Sequence, residues 1–241
     1  MLARPWGSLM KYAIIADIHA NLEALTTVLA HAKEQRCTDF AFLGDFVGYN
    51  SDPKACLEIV RSMNASYVKG NHDQFAATNE SLIDFNPVAA HAMEWTRKQL
   101  TEEHRDWLRN LPYVRNLEHF TMVHATLMNP HQWGYILDKV EAEEHFTFQQ
   151  SQLCFYGHTH IAIAFIRNSN SLRAGSYSKL NLQPDNQFLL NPGSTGQSRD
   201  FLNKATYATF DTDTRAIELH RLDYNAAETQ RKNRAAGLPS R

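Results

Sequence analysis

Apolar positions along this chain fall into two rhythms. Short unbroken apolar runs end abruptly on a polar residue, and between them lie longer stretches with the 3.6-residue period of a helix. "KYAIIAD" is a buried strand ending at Asp17. "NLEALTTVLAHAKEQ" follows, with Leu22, Leu25, Val28 and Leu29 on one helical face and Asn21 placed to cap it. "DFAFLGD" is a second strand ending at Asp45, and "DPKACLEIVRSM" a second helix with Asp52 in the cap position and Pro53 in its first turn. "SYVKGNHD" is a third, short strand running into a polar turn. This alternation predicts parallel strands with helices packed on them.

From Gln74 to about Pro112 the pattern becomes helical. "NPVAAHAMEWTRKQL", capped by Asn86 and Pro87, and "TEEHRDWLRNL" form an inserted cap over the sheet. Strands resume at "HFTMVHA", "QLCFYGHTH", "IAIAFIR", "SYSKLNL", "QFLLNPGS", "ATYATFD" and "RAIELHRLD", close together and separated by turns such as "NSNS" and "DTDT". That spacing predicts a largely antiparallel second half. With no internal repeat or low-complexity linker, residues 1–241 read as one α/β domain with a helical insertion at about 74–112. Residues 226–241 are polar and expected to fray. Met10 offers an alternative start, which would leave residues 1–9 as a flexible leader.

Composition narrows the class. A chain of 241 residues with 43% hydrophobic and 21% charged residues can bury one substantial core. A net charge of −2 argues against an extended nucleic-acid or membrane surface. Cys37, Cys56 and Cys154 are scattered with no CxxC pair, which favours a reducing, cytoplasmic setting. No apolar run reaches the roughly 18–20 residues of a membrane span.

Chemistry concentrates where the strands end. Asp17 and His19 lie in "ADIHAN", Asp45 in "GDFVG", Asn71 and His72 in "GNHD", His124 in "VHA", and His158 and His160 in "GHTH". Two histidines one residue apart on a strand would share a face, where a metal satisfies them better than a core does. The carboxyl ends of strands in an α/β sheet converge on one ligand-binding edge. Two carboxylates, one amide and four imidazoles are too many ligands for one ion and enough for two, if one carboxylate bridges. The mixed N/O set suits Mn²⁺, Fe, Ni²⁺ or Zn²⁺ rather than an all-oxygen Ca²⁺ or Mg²⁺ cage. Two divalent ions would outweigh both carboxylates and a bound hydroxide, leaving a positive surplus for a phosphate ester. Such a pair, about 3.5–4 Å apart, lowers the pKa of a shared water and clamps an in-line displacement.

In order, D-x-H, GD-x-x-G, GNHD, a strand-end His and GHTH resemble the motifs of calcineurin-like metallophosphoesterases, over about residues 11–200. "GDFVGYNSDP" and "NPGSTGQSRD" are similar to stretches of the small bacterial and archaeal phosphodiesterase branch. The resemblance implies a four-layer double β-sandwich flanked by helices. It implies that Asp17, His19, Asp45 and His160 hold one metal, and that Asp45 bridges to a second held by Asn71, His124 and His158. His72 would be the catalytic histidine, protonating the leaving oxygen or steadying the phosphorane, and Asp73 would orient its ring. The implied reaction is hydrolysis of a small phosphate ester, a nucleotide among the candidates, by direct attack of a metal-bridging hydroxide. A phosphodiesterase leads; a phosphomonoesterase, a dinucleoside polyphosphate hydrolase, a non-catalytic scaffold and a DNA nuclease are the alternatives.

Departures from the pattern bear on substrate. Protein phosphatases of the superfamily carry "GD-x-VDRG" and "GNHE", whereas this chain reads "GDFVGYN" and "GNHD", without the phosphate-gripping arginine. "ATLMNP" after His124 replaces the "HG" of many relatives. Gly44 and Gly48 allow close backbone approach to the metals. Tyr49 and Asn50 either line the substrate pocket or form a plain turn. Arg199 is either a bidentate phosphate contact or half of a surface salt bridge. Oligomeric state is not encoded in these patterns.

Overall fold

Side chains alternate across the first strand in a way that fixes the architecture. Tyr12 and Ile14 face one apolar core and Ala13 and Ile15 another, so β1 (Lys11–Ile15) is covered on both faces. The computed structural model describes residues 10–83 and 85–239. The expected leader at 1–9 and the last two residues of the tail lie outside them.

After β1 the described elements are α1 (Leu22–Glu34), β2 (Asp39–Phe42), α2 (Pro53–Ser62), β3 (Ser66–Tyr67), α3 (Asn71–Ala77), α4 (Pro87–Gln99), α5 (Glu102–Arg109), β4 (Val114–Asn116), β5 (Thr121–Val123), α6 (Lys139–Phe148), β6 (Leu153–Phe155), β7 (Ala162–Arg167), β8 (Leu172–Gly175), β9 (Lys179–Asn181), β10 (Gln187–Pro192), β11 (Ala205–Asp211), β12 (Ala216–Leu222) and α7 (Ala226–Ala235). One six-stranded sheet runs β3-β2-β1-β11-β12-β9 and the other β4-β5-β6-β10-β7-β8.

The central core lies between the sheets, where Ile14, Phe120, Phe155, Leu190 and Phe210 meet. Outside the first sheet, helices α1, α2, α4 and α5 supply Leu25, Val28, Leu57, Met93 and Leu108 to a second core. Outside the second sheet, Phe146 of α6 packs on Cys154, Phe165 and Leu189. The result is the expected four-layer sandwich. β1–β2 and β2–β3 are parallel. In the later part β5–β6 and β6–β10 are parallel as well, and the other pairs are antiparallel.

Three local expectations need correction. "GNHD" is not a turn: Asn71 and His72 open helix α3. Asp52 makes no side-chain capping bond to α2; its carboxylate instead accepts from Lys232 Nζ at 3.1 Å. That contact belongs to the third correction, since the segment expected to fray forms α7 over residues 226–235. Asn225 caps it by accepting from Glu228 N at 3.2 Å. Thr229 Oγ1 lies 3.1 Å from Asn21 Oδ1 and 2.9 Å from Glu23 Oε2, and Lys232 also donates to Glu23. Long-range polar contacts therefore hold a helix that has no apolar stripe of its own.

Candidate metal centre

The loops that follow the strands are stitched to one another by backbone hydrogen bonds. Asp17, His19 and Ala20 donate their N–H groups to the carbonyls of Gly44, Asp45 and Phe46. On the other side, Thr195 N and Gly196 N donate to Ala16 O and Asp17 O. Gly157 N donates to His124 O, and His158 N reaches the Asp17 carboxylate at 3.2 Å. Segments distant in sequence are thus fixed at one edge, where the carboxyl ends of β1, β2, β3, β5 and β6 meet.

Asp17, His19, Asp45 and His160 bring ligand-type atoms within 4.8 Å of one another, and Asp45, His124 and His158 form a second group that shares Asp45. Asn71 Oδ1 lies 3.1 Å from His124 Nε2 and so joins the second group. All seven candidate ligands therefore converge. The strand expectation for "GHTH" is corrected on one point: His158 and His160 lie beyond the end of β6, in left-handed backbone, and each faces a different group.

The donor set fits cations. Nδ1 of His19 donates to Val47 O at 3.1 Å, and Nδ1 of His160 to Gln197 O at 2.7 Å. Carbonyl oxygens only accept, so both Nε2 atoms carry lone pairs, yet these face each other at 3.0 Å. Two lone pairs at that distance repel unless a cation lies against them. His124 donates Nδ1–H to Leu43 O at 2.7 Å, and His158 donates Nε2–H to Trp133 O at 3.0 Å, leaving Nδ1 as its lone-pair nitrogen. Backbone carbonyls that lock the ring tautomer are the usual outer partners of metal-bound histidines. Asp45 Oδ2 stands 3.5 Å from His19 Nε2 and 3.4 Å from His124 Nε2, which suits a bridge. Its Oδ1 accepts from His72 N at 2.8 Å.

Electrostatics agree with this reading. Burial holds His19 and His160 well below the usual imidazole range, and burial with His124 nearby pushes His158 down to about 3. Neutral imidazole is the ligating form. Burial pushes the Asp17 carboxyl up to about 7. Burial opposes ionisation of Asp45 too, but His124 and His72 outweigh it and hold that carboxyl well below its usual range. Burial likewise lowers His124, and Asp45 outweighs it, raising the imidazole to about 9. A proton and a divalent cation compete for the same His124 lone pair, so binding the ion releases the proton.

Asp17, His19, Asp45, His158 and His160 all have φ between 48° and 67°. Non-glycine residues rarely adopt this conformation, and each instance costs about 1–3 kcal/mol. Five such residues among seven candidate ligands mark strain gathered at one site. Nothing in the side-chain pattern announced it; the neighbouring glycines were the only trace.

His72 is 5% exposed and lines a pocket of about 160 Å³ with Asp45, His158 and His160. Tyr49, Phe85, Tyr135 and Arg199 are among its other lining residues, so Tyr49 is not confined to a plain turn. Asn50 buttresses the site by donating to His19 O at 2.8 Å. The His72 ring packs against Tyr49 at 4.6 Å and His19 at 4.7 Å. Asp73, expected to orient that ring, is turned to the backbone: it accepts from Asp45 N at 2.7 Å, Phe46 N at 2.9 Å and Gly70 N at 3.0 Å. It clamps the Asp45 loop to α3. Burial and the Asp45 charge push its carboxyl up to about 7, against those donors.

Two supports escaped sequence reading. Fully buried Asn191 donates to Gly157 O at 2.6 Å and to Thr159 Oγ1 at 3.0 Å, holding the "GHTH" turn. The loop after His124 supplies Trp133 O to His158 and lays the Tyr135 ring against it at 4.2 Å. The asparagine that opens "NPGS" at the end of β10 was a readable signal for the first; the second has none.

Gly48 has φ +89°, and a Cβ there would lie 2.3 Å from His72 Nδ1. Gly48→Ala is therefore expected to cost about 1–3 kcal/mol in backbone strain and to displace His72. Chemical denaturation and hydrolysis rates would show lower stability and lower kcat, with bound metal unchanged; unchanged kcat would refute the contact.

A two-sheet sandwich with paired histidine–carboxylate groups at its strand ends defines a phosphoesterase-type hydrolase. The chain belongs to that family: residues 10–215 match the calcineurin-like phosphoesterase superfamily domain. It is 36% identical over 224 residues to an uncharacterised protein of Methanocaldococcus jannaschii, covering 91% of this chain and 90% of that one. It resembles the crystal structure of a metallophosphoesterase from Sphaerobacter thermophilus, with TM-score 0.84 and 36% identity over 96% of this chain and 95% of that one. A hypothetical protein from Pyrococcus horikoshii shares the fold, with TM-score 0.79 and 20% identity over 95% and 94% of the two chains. Among the described residues no helix is long and apolar enough to cross a membrane.

Proposed function

We propose that this protein is a dinuclear metal-dependent phosphodiesterase acting on small esters. The observation that carries the reading is the pair of donor groups sharing Asp45, with His72 and Arg199 in the same pocket. Asp17, His19, Asp45 and His160 would hold one ion, and Asp45, Asn71, His124 and His158 the other; Mn²⁺ heads the candidates, with Fe, Ni²⁺ and Zn²⁺ also suited to the ligands. When bound, the ions would supply an acidified water and neutralise charge developing on the phosphoryl oxygens.

The chain's own residues do the rest. Arg199 is the one cationic Lys or Arg side chain lining the pocket among the described residues. One guanidinium matches the two free oxygens of a diester, whereas a monoester presents three and a second charge. His72 lines the same pocket and would protonate a leaving oxygen there. Phe85 and Tyr135 add aromatic surface to the pocket wall. A pocket this small beside α4 favours small molecules over phosphoproteins.

The test compares bis-p-nitrophenyl phosphate with p-nitrophenyl phosphate, using protein stripped of metal and then supplied with Mn²⁺. Stripping should reduce turnover to background, and Mn²⁺ should restore it with the diester preferred. Monoester preference would keep the site and change the enzyme class. No turnover with any divalent metal would sink the enzymatic reading.

A further inference from the structure

Beside the site pocket lies a larger cavity of about 490 Å³, and Tyr49 and Arg199 line both. The smaller space, about 160 Å³, is below the volume typical of small-molecule sites. The larger falls within the roughly 300–1,000 Å³ typical of small-molecule sites. Its floor is Tyr49 and Asn50, one wall is the loop from Gly196 to Lys204, and the other is Tyr224 with α7. This is the helix that the polar tail was not expected to form.

The lining has a definite chemistry. Tyr49, Tyr224 and Phe201 are aromatic, and Phe201 is fully exposed at the rim. Asn233, 8% exposed, and Gln197 each carry a buried side-chain carbonyl oxygen with no hydrogen-bond partner among the described residues. Buried acceptors of this kind call for a donor. Asn233 also donates to Asn50 Oδ1 at 2.8 Å, and Asn50 donates to His19 O, so the wall is tied to the candidate metal loops. No carboxylate lines the cavity among the described residues, which disfavours a cationic ligand. Lys204 is already paired with Asp223 at 3.0 Å. Arg199 has no side-chain partner among the described residues, and it stands at the junction of the two spaces.

We infer that this cavity is the subsite for a nucleoside arm: a flat aromatic base with an N–H donor, on a sugar esterified to a phosphate that Arg199 holds at the junction. This rests on the phosphodiesterase reading above and specifies its substrate class as nucleoside phosphodiesters. Aromatic side chains stack on any base, and an N–H of the base would meet the Asn233 or Gln197 carbonyl once that amide turns into the cavity.

The experiment compares kcat/KM for thymidine 5′-(p-nitrophenyl phosphate) and methyl p-nitrophenyl phosphate, in wild type and in the Tyr224→Ala/Asn233→Leu double variant. Both substrates are monoanionic diesters with the same leaving group, so their ratio reports the arm and cancels any loss of folded protein. Wild type should favour the nucleoside ester roughly 10- to 200-fold, and the ratio should fall towards one in the double variant. A wild-type ratio near one, or a ratio the variant leaves unchanged, overturns the subsite while the phosphodiesterase reading stands. If neither ester is cleaved, that reading fails, and calorimetric binding of thymidine 5′-monophosphate decides the cavity alone. Binding at least tenfold weaker in the double variant supports it; equal or absent binding overturns it.

Discussion

Asp45→Ala is expected to leave a protein that binds neither ion stably and hydrolyses diesters at least about 10³-fold more slowly. Outer partners of metal ligands are worth about 10–100-fold, and Asp45 is a direct candidate ligand in both groups. Among the described residues its Oδ2 is the one carboxylate oxygen near the lone-pair nitrogens of both His19 and His124. Without it, the facing nitrogens of His19 and His160 keep only Asp17, whose Oδ1 is 3.5 Å from His160 Nε2. His124 loses the charge that raises its pKa, so the substitution lowers that pKa and leaves the second group with neutral donors alone. The same change frees His72 N from its acceptor at 2.8 Å. Elemental analysis after dialysis against Mn²⁺, with rates on bis-p-nitrophenyl phosphate, would check this. Two ions retained per chain would show that Asp45 does not bridge.

Much of this arrangement is legible in the sequence because strand ends are marked by abrupt changes of polarity. "AIIAD" and "AFLGD" each break from apolar to carboxylate within a few residues of the true strand end. The strand–helix–strand order then implies parallel pairing, and the parallel β1–β2 pair places those ends on one edge. What escaped has physical reasons. Helix α3 has only seven residues, too short for a period to show. In α6, buried Ala142 and Phe146 are offset by exposed Val140 and Phe148, so no apolar stripe forms. Helix α7 is polar along its length and is held by Glu23 and Asp52, more than a hundred and seventy residues away. Local pattern carries no record of such contacts.

The same limit applies within the site. Residue types named the candidate ligands, but the left-handed backbone of Asp17, His19 and Asp45 goes with the stitching of loops 17–20, 44–46 and 195–196. Asp73 shows the consequence. Adjacency to His72 suggested a catalytic partner, whereas helical geometry turns neighbouring side chains away from each other and sends Asp73 to the Asp45 loop. Its role is positioning.

His72→Ala should lower kcat by about 10²–10⁴-fold for esters with poor leaving groups, the range for losing a general acid, while two ions remain bound. The ring belongs to neither donor group, and it packs edge-on or tilted against Tyr49, His19 and Phe85. Removing it should therefore spare metal affinity. The leaving group separates the two roles implied for it. A p-nitrophenolate departs without a proton, so a general acid matters little there and the loss should stay within about tenfold; an alkoxide needs the proton, and the full loss should appear. Equal losses for aryl and alkyl esters would instead assign His72 to steadying negative charge on the phosphorane, which forms with either leaving group. Loss of metal from His72→Ala would reduce it to a structural residue, because its main-chain N–H, which alanine keeps, is the group that touches Asp45. The outcome thus turns on the ratio of two rate losses measured in one protein, which folding differences do not alter.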